Sequence, residues 1–179
     1  MEERHELSEQ IVSFYKNLFN DPLKNEMKRE NIIHKLVMTE DNNLLTAIPL
    51  DFEIKEAVFG LRKESSPGPD GFTNDFFQTY WEIIQDDVIQ LVNHLFNDGT
   101  LPLGFNAQFI TLILKVENAC EISQFRPVSF VNTIYKVIYK ILSNRLACII
   151  EKLISWNQFG FVKGKNIHEC LLKASECVN

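Results

Sequence analysis

The sequence predicts an α+β chain that is mostly helical and contains one small β-hairpin. Two observations predict this class: apolar residues recur every three or four positions in most segments, and two short β-branched runs interrupt that period between residues 109 and 131. Of the 179 residues, 45% are hydrophobic and 23% are charged, so the chain can close a core and is neither disordered nor of low complexity. The length predicts one domain or one piece of a larger one.

Three helices are predicted before residue 65. An apolar stripe predicts the first helix, and a shorter stripe predicts the second. We expect the polar residues 41–43 to end the second helix. The third is predicted to begin at Asp51 as its N-cap. The stripes consist, in order, of Ile11, Phe14, Tyr15, Leu18 and Phe19; of Ile32, Ile33, Leu36 and Val37; and of Ile54, Ala57, Val58 and Leu61.

A rigid turn is predicted at residues 66–72, Ser-Pro-Gly-Pro-Asp-Gly-Phe. Its two prolines lack an N–H, and its two glycines favour unusual backbone angles. Thr73 is the predicted N-cap of one long helix, which we expect Asn-Asp-Gly at 97–99 to terminate. The apolar stripe of this helix contains Phe77, Tyr80, Trp81, Ile84, Val88, Leu91, Val92 and Leu95.

A β-hairpin is predicted next, from strands at 109–114 and 126–131. Both runs are short and rich in β-branched residues, and polar turn residues separate them. The hairpin places Lys115 and Arg126 at the base of its two arms. Such a pair could grip a triphosphate, since arginine forks onto phosphate oxygens and lysine supplies a point charge. A solvated face with snorkelling side chains is the alternative.

A long helix is predicted from Asn132, with a core stripe on one face and Lys136 and Lys140 one turn apart on another. A turn-rich segment at 158–165 and a last helix from Ile167 follow it. The glycines of that segment could let a nucleic-acid backbone pass close to its lysines, and a tight connecting turn is the alternative.

Basic residues concentrate in the second half of the chain. Residues 1–100 hold nine Lys/Arg against nineteen Asp/Glu, whereas residues 101–165 hold eight against three, although the whole chain carries −6. A polyanion is therefore expected to meet the second part. The basic set contains Lys115, Arg126, Lys136, Lys140, Arg145, Lys163 and Lys165.

No catalytic or metal-binding constellation is predicted. The acidic doublet Asp86-Asp87 lies on an amphipathic helix, where neighbouring side chains diverge, so we expect solvated surface acids. The cysteines, which lack C-x-x-C spacing, are expected to be free thiols. With neither a signal-peptide h-region nor a membrane-spanning run, the chain is expected to be intracellular, in the nucleus or cytoplasm, without membrane contact.

Five motifs in order resemble the reverse transcriptase of LINE-type non-LTR retrotransposons, most of all the plant forms. The motifs are SPGPDGF, GTLPLGFN, FITLILK, FRPVSFVNTIYKVIYKILSNRL and QFGFVKGKNIHECLL. The resemblance covers residues 45–179, and residues 1–44 resemble the helical segment that precedes the polymerase. It implies a partial right-hand polymerase fold, made of the fingers and the start of the palm.

The resemblance also implies binding roles for particular residues. The fingers hairpin of such enzymes holds the triphosphate of the incoming dNTP, which corresponds to Lys115 and Arg126. The helix from Asn132 would lie near the RNA template and DNA primer, and the last motif would face the template. The implied nucleic-acid-binding residues are Lys136, Lys140, Arg145, Gln158, Gly160, Phe161, Lys163 and Lys165, with Tyr135 on the same helix.

The carboxylates of two-metal nucleotidyl transfer are absent from these motifs. In the family they come from a strand aspartate and a Tyr-x-Asp-Asp hairpin, and both would lie beyond Asn179, so we assign no catalytic residue. The chain alone is expected to bind no Mg²⁺ cofactor and not to polymerise. A nucleic-acid-binding module without catalysis, and a relic or protein-interaction fragment, remain alternatives, with the oligomeric state open.

Overall fold

The computed structural model describes residues 2–20 and 36–155, together with residues 158, 164, 166, 168 and 175. These residues form helices and one small antiparallel sheet, which confirms the predicted mostly helical α+β class. The elements are α1 (Glu2–Asn20), α2 (Thr39–Thr46), α3 (Asp51–Phe59), α4 (Asn74–Thr79), α5 (Trp81–Asp98), β1 (Gln108–Leu114), β2 (Phe125–Val131) and α6 (Thr133–Leu153). Within the described part, no helix combines the length and apolarity needed to cross a bilayer.

The chain divides into two compact units, of which the first contains α1 and residues 110–129. The stripe predicted for α1 buries Tyr15, and this side chain lines a cavity of 360 Å³ together with Ile110 and Leu112 of β1. Successive strand residues point to opposite faces, so these two residues share one face of the hairpin. One face of the hairpin therefore lies against the apolar side of α1.

The second unit contains α2 to α6 and holds a continuous apolar core. The stripes predicted for α3, the long helix and the helix from Asn132 supply it, and each fully buried Ile, Val or Phe side chain contributes about 1.5–3 kcal/mol. The core residues are Ile54, Ala57 and Val58 from α3, Phe77 from α4, Trp81, Val88 and Val92 from α5, and Ile134, Val137, Ile138 and Ile141 from α6.

Asn132 joins two turns at the start of α6. Its Oδ1 accepts a hydrogen bond from the backbone N–H of Asp70 (3.2 Å), and its Nδ2 donates to the carbonyl of Gly104 (3.1 Å). Gly68 of the predicted rigid turn packs directly against Asn132, so closely that a Cβ there would lie 2.6 Å from the carbonyl carbon of Val131. The turn is therefore shaped to seat α6.

Three predicted helices differ from those observed. Asp51 is the first residue of α3 and not its N-cap, which is Leu50. Of the second predicted stripe, Ile32 and Ile33 lie outside the described residues, and Leu36 and Val37 are not helical. Asp41 lies in the first turn of α2 instead of ending a helix, because its carboxylate accepts the Met38 N–H (3.0 Å) at a helix N-terminus. The long helix is capped by Thr73 and ends at left-handed Gly99, as predicted, but it is interrupted. The interruption falls at Tyr80, whose carbonyl accepts the N–H groups of Ile83 and Ile84 and so starts α5.

Candidate nucleic-acid interface

An open groove of 630 Å³ runs along α6 in the second unit. Two lysines and two tyrosines of α6 dominate it, and none of the described residues that line it is acidic. Because no carboxylate of the described residues lines it, a polyanion could approach without repulsion from these lining residues. We call this surface the α6 groove; its lining residues are Leu61, Gln108, Val131, Tyr135, Lys136, Tyr139 and Lys140.

Lys136 is anchored to the turn that precedes α4. Its ammonium donates to the Ser66 carbonyl (2.6 Å) and to Ser65 Oγ (3.1 Å). Burial lowers the pKa of Lys136, and the nearby Asp70 carboxylate partly opposes that effect. An ammonium has three N–H donors, so one remains for a ligand while the other two fix its position.

Lys140 lies one helical turn further along the same face. Its stem passes Gly60, where an added Cβ would come within 3.2 Å of Lys140 Cε. No described residue forms an ion pair or hydrogen bond with its ammonium. Lys140 therefore presents to the α6 groove an ammonium group that no described residue neutralises.

Tyr135 and Tyr139 form an aromatic pair beside these lysines. Their ring centroids are 4.8 Å apart at an interplanar angle of 60°, and their hydroxyl oxygens are 3.2 Å apart. The hydrogen bond to Tyr139, followed by burial, raises the pKa of Tyr135. Tyr139 was not among the predicted site residues, although the repeat Tyr-Lys-x-x-Tyr-Lys at 135–140 is a signal for it in the sequence.

The structure places Arg145 in the core instead of on the basic face predicted for it. It is 6% exposed, and its guanidinium donates to both carboxylate oxygens of Glu53 at 2.7 and 2.8 Å. It also donates to the carbonyls of Leu45 (3.3 Å) and Ala47 (2.5 Å) and lies over the ring of Phe96. These internal partners occupy its donors, so we correct the prediction and leave Arg145 outside the α6 groove.

The first unit brings Lys115 and Arg126 onto one hairpin. The N–H of Lys115 donates to the Gln124 carbonyl (2.8 Å), and in this antiparallel register Arg126 lies diagonally across from Lys115 on the same face. The ammonium of Lys115 donates to the Ser123 carbonyl (2.7 Å), whereas the exposed Arg126 has no ion pair with any described residue. Lys115 and Arg126 thus share one face of the hairpin, and the hydrogen bond to Ser123 fixes the position of the Lys115 ammonium.

The remaining predicted site residues fall mostly outside the described part of the chain. This applies to Gly160, Phe161, Lys163 and Lys165. Gln158 is described and exposed, and its N–H donates to the Ser155 carbonyl (2.9 Å). Among the described residues, no three His, Cys, Asp or Glu side chains converge to hold a metal ion.

The fold and the site define a mostly helical α+β chain with a cationic, tyrosine-lined groove. The chain is 31% identical over 172 residues to the uncharacterized 149 kDa protein of transposon TX1 from Xenopus laevis. The alignment covers 94% of this chain but only 13% of that protein, so the chain spans a small part of its relative. This similarity supports the retrotransposon origin that the motifs predicted. No protein-family model matches the chain.

Proposed function

We propose that this chain is the part of a LINE-type reverse transcriptase that binds the template-primer and the incoming dNTP. The α6 groove carries the proposal, because it combines directed lysines with aromatic rings and has no acidic side chain among its described lining residues. Phosphates would contact Lys136 and Lys140, and bases would pack on the tyrosines. RNA-directed DNA polymerase activity, with Mg²⁺ as cofactor, belongs in this proposal to the longer protein.

Replacement of Lys140 by Glu tests the α6 groove. We expect Lys140→Glu to weaken binding of a fluorescein-labelled single-stranded RNA about tenfold, since an attractive contact becomes repulsive. Fluorescence anisotropy measures the affinity. Lys140→Gln should also reduce the slope of log K against log salt by about 0.7, which is the release expected for one phosphate contact on a single strand.

The matched control is Lys55→Glu, which makes the same charge change on the exposed face of α3, outside the groove. If Lys55→Glu and Lys140→Glu reduce RNA affinity equally, net charge alone explains binding, and the α6 groove is not the site. An unchanged salt slope for Lys140→Gln would contradict a phosphate contact at this lysine.

The hairpin of the first unit is the proposed triphosphate site. Arg126 is exposed and could fork onto two phosphate oxygens, while Lys115 keeps two N–H donors beyond its bond to Ser123. We expect Arg126→Gln to weaken dNTP binding about tenfold in calorimetry. Arg126→Lys should restore only part of that affinity, because lysine keeps the charge and loses the fork.

Lys16→Gln on α1 controls for loss of one exposed cation from the same unit. Recognition of the triphosphate also requires that the matching deoxynucleoside, which lacks phosphates, binds far more weakly than the dNTP. Equal binding of the two ligands, or equal losses in Arg126→Gln and Lys16→Gln, would remove the hairpin from the proposal.

A further inference from the structure

Besides the α6 groove, the second unit contains a cavity of 420 Å³ that shares no lining residue with it. It lies among α4, α5, the turn at 103–105 and the start of α6, and we call it the α5 pocket. Its volume is that of a cleft which encloses a few bulky side chains. Its apolar lining includes Phe72, Phe76, Phe77, Leu91, Leu103 and Phe105.

The apolar lining of the α5 pocket reaches the solvent. Leu103 is fully exposed and Phe72 is 47% exposed, while the rings of Phe72 and Phe76 pack with centroids 4.7 Å apart. Concave clusters of exposed large apolar side chains mark contact sites more often than scattered single residues do. The pocket therefore offers a place for an apolar anchor side chain.

The charge around the pocket is acidic. Asp70 and Asp87 line it, and α5 contains four acidic residues and neither lysine nor arginine. Asp70 accepts the N–H of Phe72 (3.1 Å) and acts on Lys136, but Asp87 is exposed and has no ion pair with any described residue. The carboxylate of Asp87 is thus available to pair with a cation of a partner.

We propose that the α5 pocket docks a basic segment of a partner protein, which inserts one bulky apolar side chain and sets a Lys or Arg against Asp87. A nucleic acid does not fit, because its phosphates would meet Asp70, Asp87 and the acidic face of α5. A neutral small molecule would make no use of the negative charge of Asp87. This inference rests on the α5 pocket alone and is independent of RNA or dNTP binding.

Fluorescence anisotropy with the full chain and labelled peptides tests the proposal. The probe is Gly-Lys-Lys-Phe-Lys-Lys-Gly, compared with one peptide in which Phe is Ser and another in which every Lys is Glu. Only the first peptide should bind. We expect Asp87→Lys to weaken its binding about tenfold through charge repulsion, and Leu103→Ser to weaken it about threefold through loss of apolar contact.

Two matched variants control for general effects. Asp86→Lys makes the same charge change at the neighbouring exposed residue that does not line the pocket, and Ile83→Ser removes an apolar side chain of α5 that is 78% exposed. Both should bind the first peptide like the unaltered chain. Absence of binding, equal losses in Asp86→Lys and Asp87→Lys, or equal binding of the serine peptide overturns the proposal. Self-association in sedimentation that Leu103→Ser abolishes also overturns it, by assigning the pocket to a second copy.

Discussion

At the scale of single residues, Arg145 shows that a cation can occupy a core position when its partners surround it. The stripe Ile138, Ile141, Arg145 and Ile149 continues at steps of three and four residues, and all four side chains are buried. The sequence contained the signal for a buried Arg145. Because Arg145 lies five residues after Lys140, it lies on a different face of the helix. Its carboxylate partner Glu53 is distant in the chain, and only the tertiary structure could identify it.

The structural role of Arg145 predicts a large loss of stability when it is removed. We expect Arg145→Met to lower the free energy of unfolding by about 3 kcal/mol, because it leaves the Glu53 carboxylate and two carbonyls without their donor. Urea unfolding followed by circular dichroism measures the loss. The double variant Glu53→Leu with Arg145→Met should lose less than the sum of the two single variants.

RNA binding distinguishes this role from the one that the sequence predicted. At a temperature where Arg145→Met remains folded, its RNA affinity should match that of the unaltered chain. A variant that keeps full stability and loses RNA affinity would return Arg145 to the nucleic-acid interface.

At the scale of elements, helical periodicity and turn chemistry predicted most of the fold. The hairpin, the cap at Thr73, the stop at Gly99 and α6 were all predicted and are confirmed. The break at Tyr80 was not predicted, because the apolar stripe continues through it at helical spacing. Periodicity records which side chains face the core and is insensitive to a local change in backbone direction.

The candidate site was predictable only in part for a related reason. The spacing of Lys136 and Lys140 placed both on one face of α6, but it held no information on the contacts made by their ammonium groups. Lys136 meets Ser65 and Ser66 because Gly68 lets the turn approach Asn132. That approach joins residues more than sixty positions apart, and no local pattern records it.

At the scale of the whole molecule, uneven charge is the feature that links stability to the proposed functions. The acidic first hundred residues supply the carboxylates of the α5 pocket, and the basic segment at 101–165 supplies the cations of the α6 groove and of the hairpin. Some acids of the first part are internal partners: Glu53 pairs with Arg145, and Asp41 pairs with Lys152 (3.1 Å). These pairs attach α3 and α2 to α6, so part of the folding free energy depends on carboxylates that remain ionised.

Acid should therefore weaken the molecule partly through Asp41. The hydrogen bond from the Met38 N–H, followed by that from Lys152, lowers the pKa of Asp41 below its ordinary value of 3.8 in the folded chain. A carboxyl with a lowered folded pKa contributes stability that is fully present above 3.8 and is lost as the pH falls through the folded value. We expect Asp41→Asn to be less stable than the unaltered chain in thermal unfolding at neutral pH, with a difference that shrinks as the pH falls below 3.8. Asp86→Asn removes an exposed acid with no ion pair to a described residue, and it should unfold like the unaltered chain at every pH. A pH-independent difference for Asp41→Asn would show that the carboxylate charge is not what attaches α2 to α6.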